Sequence, residues 1–164
     1  MKQHPEKLYH TTLNTPLGKL EIVVTEKGVL QIILPNGKNK CTHPISELAE
    51  DYYLCQFTRE ELSAYFSGRL KQFTVPIDLR TTAFRARVLM EVNRIPYGET
   101  ASYKEIAELM DKPHAIRAVG GANAHNPLPV IIPCHRVIAH NGTLGGYGGG
   151  LEMKKFLLRL EGAL

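Results

Sequence analysis

The sequence predicts an α+β fold in two units. Residues 1–80 would form a small N-terminal α/β domain with an antiparallel sheet, and residues 81–164 a mostly helical C-terminal domain. Three observations predict this: strand-like apolar runs open the chain, helix N-cap signals recur in its second half, and a short linker pattern lies around residues 80–82. At 164 residues with 43% hydrophobic residues, the chain is long enough to bury a core.

The first unit is predicted to begin with three strands, at Tyr9–Asn14, Lys19–Thr25 and Val29–Leu34. Turn residues separate them, and this pattern is typical of an antiparallel meander. An amphipathic helix is expected at Ile45–Cys55. The capping box Thr58-Arg59-Glu60-Glu61 predicts the start of a second helix that continues to Phe66. Phe73–Leu79 is predicted as an edge strand, because Pro76 has no N–H to donate to a ladder.

The second unit is predicted to contain four helices. Thr82 caps the first, which ends near Arg94, and the capping box Ser102-Tyr103-Lys104-Glu105 opens the second. Pro113 suits the first position of a third helix that continues to about Ala124, and Leu151–Leu160 is the fourth. The second and third helices, joined by a tight turn, predict a helix-turn-helix of winged-helix type. An αα-hairpin without a role in DNA binding remains the alternative.

Charge is distributed unevenly along the chain. The net charge is +4, with +1 on residues 1–80 and +3 on residues 81–164, and the segment from Lys112 to Leu151 contains neither Asp nor Glu. An acid-free segment of this length indicates a polyanionic partner, although a loop region that merely lacks charge has the same pattern. Apolar runs are too short to cross a bilayer and the N-terminus has no secretory pattern, so we expect a cytoplasmic protein without a membrane partner.

Cysteine usage points to one reactive thiol. Three cysteines make a disulfide scaffold improbable, and Cys55 fits a small core residue of its amphipathic helix. Cys41 and His43 lack a second pair of ligands at zinc spacing, so we expect no metal and no cofactor. Cys134 follows an apolar, strand-like run and precedes His135 and Arg136. A neighbouring imidazole and guanidinium should lower the pKa of the thiol, although a buried structural cysteine remains the alternative.

The segment Pro133-Cys134-His135-Arg136-Val137 resembles the active-site signature of the O6-alkylguanine-DNA alkyltransferases, also called methylated-DNA–protein-cysteine methyltransferases. The resemblance covers about residues 82–162. Further segments fall in the family's order and spacing: Ser102-Tyr103, Arg117-Ala118-Val119-Gly120, Asn126-Pro127, Gly146-Tyr147-Gly148-Gly149-Gly150-Leu151-Glu152 and Leu157-Leu158-Arg159-Leu160-Glu161-Gly162.

The resemblance implies repair of O6-alkylguanine in double-stranded DNA by a single, irreversible alkyl transfer to Cys134, with O4-alkylthymine as a second candidate substrate. His135 would act as a base toward the thiol through a water, and Glu161 would orient its imidazole. Tyr103 would donate a proton to the departing guanine. Asn126 would hold the active-site turn by hydrogen bonds.

The resemblance also assigns the contacts with substrate and DNA. The flipped base would lie in a pocket lined by Tyr147, Gly148, Val137 and Arg136. Arg117 would enter the base stack at the site of the flipped nucleotide. The other DNA contacts would come from Ser102, Ala115, Ala118, Gly120 and Asn123. The protein would act as a monomer.

Three alternative functions remain open at this level. A thiol hydrolase could use Cys134 and His135 with repeated turnover. A non-catalytic lesion-binding module could use the same groove, although relatives of that type have lost the cysteine that this chain retains. A sequence-specific regulator is weaker still, because the chain has no second DNA-binding unit.

Overall fold

The computed structural model describes residues 6–41 and 52–164. An antiparallel sheet and one helix form its first part, and a helical part follows, which confirms the predicted α+β class. The elements in chain order are β1 (Tyr9–Thr15), β2 (Gly18–Val24), β3 (Val29–Ile33), α1 (Tyr53–Phe66), α2 (Ala83–Asn93), β4 (Ala101–Ser102), α3 (Tyr103–Leu109), α4 (Ile116–Ala124), a 3₁₀ turn (Cys134–Arg136), β5 (Val137–Ile138) and α5 (Leu151–Leu160).

The N-terminal sheet confirms the predicted meander. Its strand order is β1-β2-β3, and both pairings are antiparallel. Alternation along β2 turns Leu20, Ile22 and Val24 into the core, where none of them has exposed surface. The helix α1 packs against this sheet, mainly on β1.

The capping box predicted at Thr58 is wrong, because Thr58 lies inside α1. Its hydroxyl donates to the carbonyl of Leu54, one turn earlier, at 2.6 Å. Glu61, the other half of the predicted box, instead accepts hydrogen bonds from the backbone N–H groups of Thr74 and Val75. The helix α1 therefore takes the place of the second predicted helix, and no helix begins at Thr58. Most of the helix predicted at Ile45–Cys55 lies outside the described residues, and its last three residues begin α1.

Phe73–Leu79 is not a strand, contrary to the prediction. It makes one parallel bridge to β3, in which Val29 donates to the carbonyl of Pro76 and Asp78 donates to the carbonyl of Val29, both at 2.8 Å. Pro76 cannot donate, and Glu61 binds the N–H groups of the two preceding residues. Too few backbone groups remain to extend a ladder.

The C-terminal helices follow the sequence signals closely. Thr82 caps α2 by accepting from the N–H of Arg85, and Ser102 and Glu105 form both bonds of the capping box that opens α3. The helix α4 begins later than predicted, because Ala115 donates to the carbonyl of Lys112 and closes a turn over Pro113 and His114. The helices α3 and α4 pack together as the predicted helix-turn-helix.

The two parts of the chain share one continuous hydrophobic core that contains side chains of β2, β3, α1, α2, α3 and α5. A backbone hydrogen bond of 2.9 Å from Ile32 to Pro127 joins β3 to the segment after α4. The short parallel pair β4–β5, which no sequence pattern predicted, places the residues after the 3₁₀ turn beside the start of α3. Among the described residues, no helix combines the length and the hydropathy needed to cross a membrane.

The Glu61 carboxylate should contribute measurably to stability. Substitution Glu61→Gln retains the shape but points an NH₂ donor at the N–H groups of Thr74 and Val75, so we expect the free energy of unfolding to fall by about 1–3 kcal/mol. Urea denaturation measures this. Glu60→Gln is the matched control, since Glu60 lies exposed on the same helix. Equal stability of the two variants would contradict the structural role of Glu61.

Candidate active site

Cys134 lies at the start of the 3₁₀ turn and is only 4% exposed. Its N–H donates to the carbonyl of Ile132 at 2.8 Å, and its own carbonyl accepts from the Asn123 side chain at 3.2 Å. The backbone of the candidate nucleophile is therefore held from both sides, by the preceding turn and by α4.

The segment before Cys134 is a tight turn and not the predicted strand-like run. Ile132 donates to the carbonyl of Leu128 at 2.8 Å, and Val130 has a φ of +75°. A β-branched residue in this left-handed region costs about 1–3 kcal/mol, so other contacts must enforce the turn. Asn126 supplies them, because its side chain donates to the carbonyl of Ile132 and accepts from the N–H of Leu128, both at 2.9 Å.

A buried carboxylate, Glu161, organises the residues that follow the thiol. His135 Nε2 lies 2.8 Å from Glu161 Oε1, and Arg136 Nε donates to Oε2 at 2.8 Å. The Tyr65 hydroxyl, from α1, donates to Oε1 at 2.6 Å. Burial by itself raises the pKa of Glu161, but the hydrogen bonds from His135, Arg136 and Tyr65 lower it to about 2. Tyr65 was missed by the sequence analysis, since nothing in α1 distinguishes it from a core aromatic residue.

His135 is a neutral imidazole at physiological pH. Burial lowers its pKa, and this effect exceeds the opposing attraction of Glu161. Donation from Nε2–H to Glu161 leaves Nδ1 as the unprotonated nitrogen. This Nδ1 is buried and has no hydrogen-bond partner among the described protein groups. The ring is therefore oriented and available as a base.

The Cys134 thiol has a raised pKa, which corrects the expectation that its sequence neighbours would lower it. Burial is the main cause, and the Asn126 amide and the Lys154 ammonium oppose it only in part. Arg136 does not help, because its charge is paired with Glu161. The thiol therefore stays protonated at rest, and its attack on an alkyl group requires a base.

Lys154 is a functional candidate that the sequence analysis missed. Its side chain is fully buried, and its ammonium donates to the carbonyls of Val137, Leu144 and Gly146. Burial lowers the pKa of Lys154 to about 8. The three hydrogen bonds of Lys154 tie the glycine-rich loop, residues 142–150, to the backbone that follows the 3₁₀ turn. The signal available in the sequence was the position of Lys154 on the buried face of α5, among the apolar residues Met153, Leu157 and Leu158.

Cys134 lines a narrow cleft. The cleft is lined by Leu34, Gly37, Lys38, Asn39, Asn123, Ala124, Asn126, Pro129, Cys134, Tyr147 and Gly148. An adjoining, wider cleft shares several of these residues and adds Tyr103, Gly120 and Gly146. The predicted pocket residues Tyr147 and Gly148 line both clefts. A larger groove along α1, beside Tyr52 and Arg59, contains no group of the Cys134 site.

Tyr103 occupies the first turn of α3, at the adjoining cleft. Burial and the nearby Cys134 raise the pKa of its hydroxyl, so the group stays protonated and able to donate. Gly145, with a φ of +68°, passes so close to the ring that a Cβ would lie 3.3 Å from it. Packing of the glycine-rich loop against Tyr103 thus requires glycine at this position.

Other predicted site residues have different surroundings. The Arg136 guanidinium binds Glu161 and the carbonyl of Ile95, outside the thiol cleft, which argues against its predicted contact with the base. The carbonyl of Val137 accepts a hydrogen bond from Lys154, and the N–H of Val137 donates to the backbone carbonyl of Cys134. Asn123 is buried against the thiol turn, and Ser102 is occupied as the cap of α3.

The start of α4 presents the remaining predicted DNA contacts. Arg117 and Ala118 are exposed in its first turn, and Ala115 is its N-cap residue. Gly120 is half-buried, and a Cβ added there would lie 3.9 Å from the Tyr103 ring. The predicted DNA contacts and the residues that line the thiol cleft therefore both include part of α4.

Ionisation of Glu161 should make the free energy of unfolding depend on pH in the acid range. Because the pKa of Glu161 is about 2 in the folded state against its usual 4.5, its contribution is complete above pH 4.5 and is lost as the pH falls toward 2. The loss amounts to up to about 3 kcal/mol. In Glu161→Gln this portion of the pH dependence should disappear, and in the exposed control Glu99→Gln it should persist. Denaturant unfolding measured between pH 2 and pH 6 would show the difference; parallel curves for both variants would contradict it.

Comparison with known proteins agrees with this geometry. Residues 83–163 match the family described as "6-O-methylguanine DNA methyltransferase, DNA binding domain", and residues 8–79 match its "ribonuclease-like domain". A methylated-DNA–protein-cysteine methyltransferase of Methanosarcina acetivorans is 41% identical over 95% of this chain and 99% of its own length. The constitutive Bacillus subtilis protein of the same name is 41% identical over 93% and 94%. The crystal structure of Mycobacterium tuberculosis OGT in complex with DNA has a TM-score of 0.85 and 39% identity, covering 94% of this chain and 93% of that one. The chain therefore belongs to the 6-O-methylguanine DNA methyltransferase family.

Proposed function

We propose that this protein repairs DNA by transferring the alkyl group of O6-alkylguanine directly and irreversibly to Cys134. The observation that carries the proposal is the buried Cys134 thiol beside a neutral His135 that Glu161 orients, immediately next to an exposed helix-turn-helix. The names of its relatives and the DNA complex of the M. tuberculosis protein support the same activity. Cys134 is a free thiol, and we place the reaction in the cytoplasm, where thiols stay reduced.

The chemical step begins with removal of the thiol proton. His135 Nδ1 takes this proton through a bridging water, and Glu161 stabilises the resulting imidazolium. The thiolate then attacks the alkyl carbon, forming a C–S bond as the C–O6 bond breaks and its electron pair passes to guanine. Tyr103 donates its proton to the departing base and recovers one from the imidazolium through solvent. The net proton transfer is from Cys134 to guanine.

Rigid positioning is the main contribution of the fold to this step. The turn held by Asn126 and the carbonyl of Cys134 held by Asn123 restrict the sulfur to one approach direction. In-line displacement depends strongly on such alignment. The product is a thioether, which water and cellular thiols do not cleave, so each chain reacts once.

Access to the O6 atom requires the damaged nucleotide to leave the base stack. In this proposal the exposed Arg117, at the start of α4, enters the duplex at the vacated position, where its planar guanidinium stacks and its charge faces phosphates. The thiol cleft lies beside the same helix, at Asn123 and Ala124. A flipped base can therefore reach Cys134 while α4 stays on the DNA.

Titration with alkylated DNA tests the proposed reaction. Incubation with duplex DNA containing O6-methylguanine should add one methyl group per chain, with the added mass in the peptide that contains Cys134. Further product after this plateau would indicate a hydrolase with repeated turnover. Full activity in Cys134→Ala, or binding of the lesion without any mass change in the wild type, would also overturn the proposal.

Substitution of Arg117 should separate base flipping from chemistry. In Arg117→Ala we expect a loss of about tenfold or more in the repair rate on duplex DNA, and little change in the reaction with free O6-benzylguanine, because only the duplex requires flipping. Arg59→Ala is the control, since Arg59 is an exposed arginine on α1. Equal losses on duplex and free base would contradict this role of Arg117.

A further inference from the structure

The cleft at Cys134 is lined by both units of the chain, and one of its walls comes from the N-terminal unit. The C-terminal wall contains Tyr147 and Gly148 of the glycine-rich loop. The facing wall is the loop that follows β3, and the residues of this loop that line the cleft are Leu34, Gly37, Lys38 and Asn39. We call residues 34–39 the N-terminal wall. The motifs that resemble the family all lie in the C-terminal unit, so none of them includes a residue of this wall.

The N-terminal wall is anchored at both ends. Leu34 is buried, and it packs so closely on the glycine-rich loop that a Cβ on Gly149 would lie 3.1 Å from its side chain. At the other end, the Asn39 side chain donates to the backbone carbonyl of Asn126 at 3.2 Å. Asn126 is the residue that holds the thiol turn. The wall is thus tied directly to the backbone that positions Cys134.

The middle of the wall is a tight turn with little freedom to retreat. Gly37 donates to the carbonyl of Leu34 at 3.1 Å, and Asn36 between them adopts a φ of +58°. On the opposite side, Gly148 offers no side chain, and a Cβ placed on it would meet open space. Opposite Gly148, the space beyond the sulfur is therefore bounded by the N-terminal wall, which the Asn39 hydrogen bond holds in place.

We propose that the N-terminal wall limits the size of the alkyl group that Cys134 accepts, with Asn39 as the residue that holds it in place. This inference rests on the proposed alkyl transfer and gives the N-terminal unit a role in specificity. A methyl group adds a single carbon next to the sulfur and needs the least of this space. A larger group must extend past that carbon into the space that the wall closes.

Rates with a small and a large alkyl group test this proposal. The wild type and its variants react with the same duplex carrying either O6-methylguanine or O6-benzylguanine, and the benzyl-to-methyl rate ratio is compared. Asn39→Ala frees the wall, so the ratio should rise by about tenfold, the discrimination that a methylene-sized change in a pocket provides. Lys38→Trp adds bulk to the exposed middle of the wall, and the ratio should fall. Lys40→Ala is the matched control, because Lys40 follows the wall and does not line the cleft.

The outcomes distinguish this proposal from the proposed function. Ratios within about twofold of the wild type in both Asn39→Ala and Lys38→Trp would overturn the role of the wall, even if methyl transfer proceeds. Equal losses with both substrates in Asn39→Ala would show that Asn39 only supports Asn126, and would also overturn it. Absence of any alkyl transfer to Cys134 in the wild type would instead overturn the proposed function. Opposite shifts of the ratio in the two variants would establish the wall as a determinant of specificity.

Discussion

The interaction on which the rest of the site depends is the buried Glu161 carboxylate with its three partner side chains. Tyr65 comes from α1, while His135 and Arg136 come from the 3₁₀ turn, and Glu161 itself follows the end of α5. A carboxylate taken out of water is costly unless charge and hydrogen bonds compensate it, and here Arg136 supplies the charge. Such a pair adds little stability compared with apolar residues in its place, but breaking it is costly, so it allows few other arrangements. It joins the first helix, the nucleophile turn and the last helix in one geometry.

From this arrangement we expect a thiol that is unreactive until a substrate is aligned. The positive charge of Arg136 is paired with Glu161, and His135 is neutral, so neither residue favours a thiolate at rest. The ammonium of Lys154 does favour the thiolate, but its effect on the pKa of Cys134 is smaller than the effect of burial. Reactivity in this site comes from a positioned base and a held backbone, and less from a permanently ionised sulfur.

The same principle of fixed geometry extends to the walls of the cleft. Lys154 ties the glycine-rich loop to Val137, Asn126 enforces a strained turn at Val130, and Asn39 ties the N-terminal loop to Asn126. Each contact is a polar side chain that binds a backbone carbonyl, which fixes the path of the chain without adding a group to the reaction. The polar residues around the cleft thus mainly position backbone, and in the proposed mechanism Cys134, His135 and Tyr103 carry the chemistry.

The sequence by itself determined the features that depend on neighbouring residues. Sequence patterns predicted the three strands, the Thr82 cap of α2, the capping box of α3, the bounds of α5 and the Cys134 segment, because alternation, capping and motif spacing act over a few residues. Local reasoning failed where a distant partner competes. Thr58 and Glu61 have the pattern of a cap, but Glu61 binds a backbone segment more than ten residues away. Tertiary structure alone decided that Val130 turns, that Arg136 pairs with Glu161, and that Tyr65 and Lys154 join the site. Residues 65 and 161 are separated by 96 positions, and the cost of burying a polar group is repaid only after folding has brought its partner close.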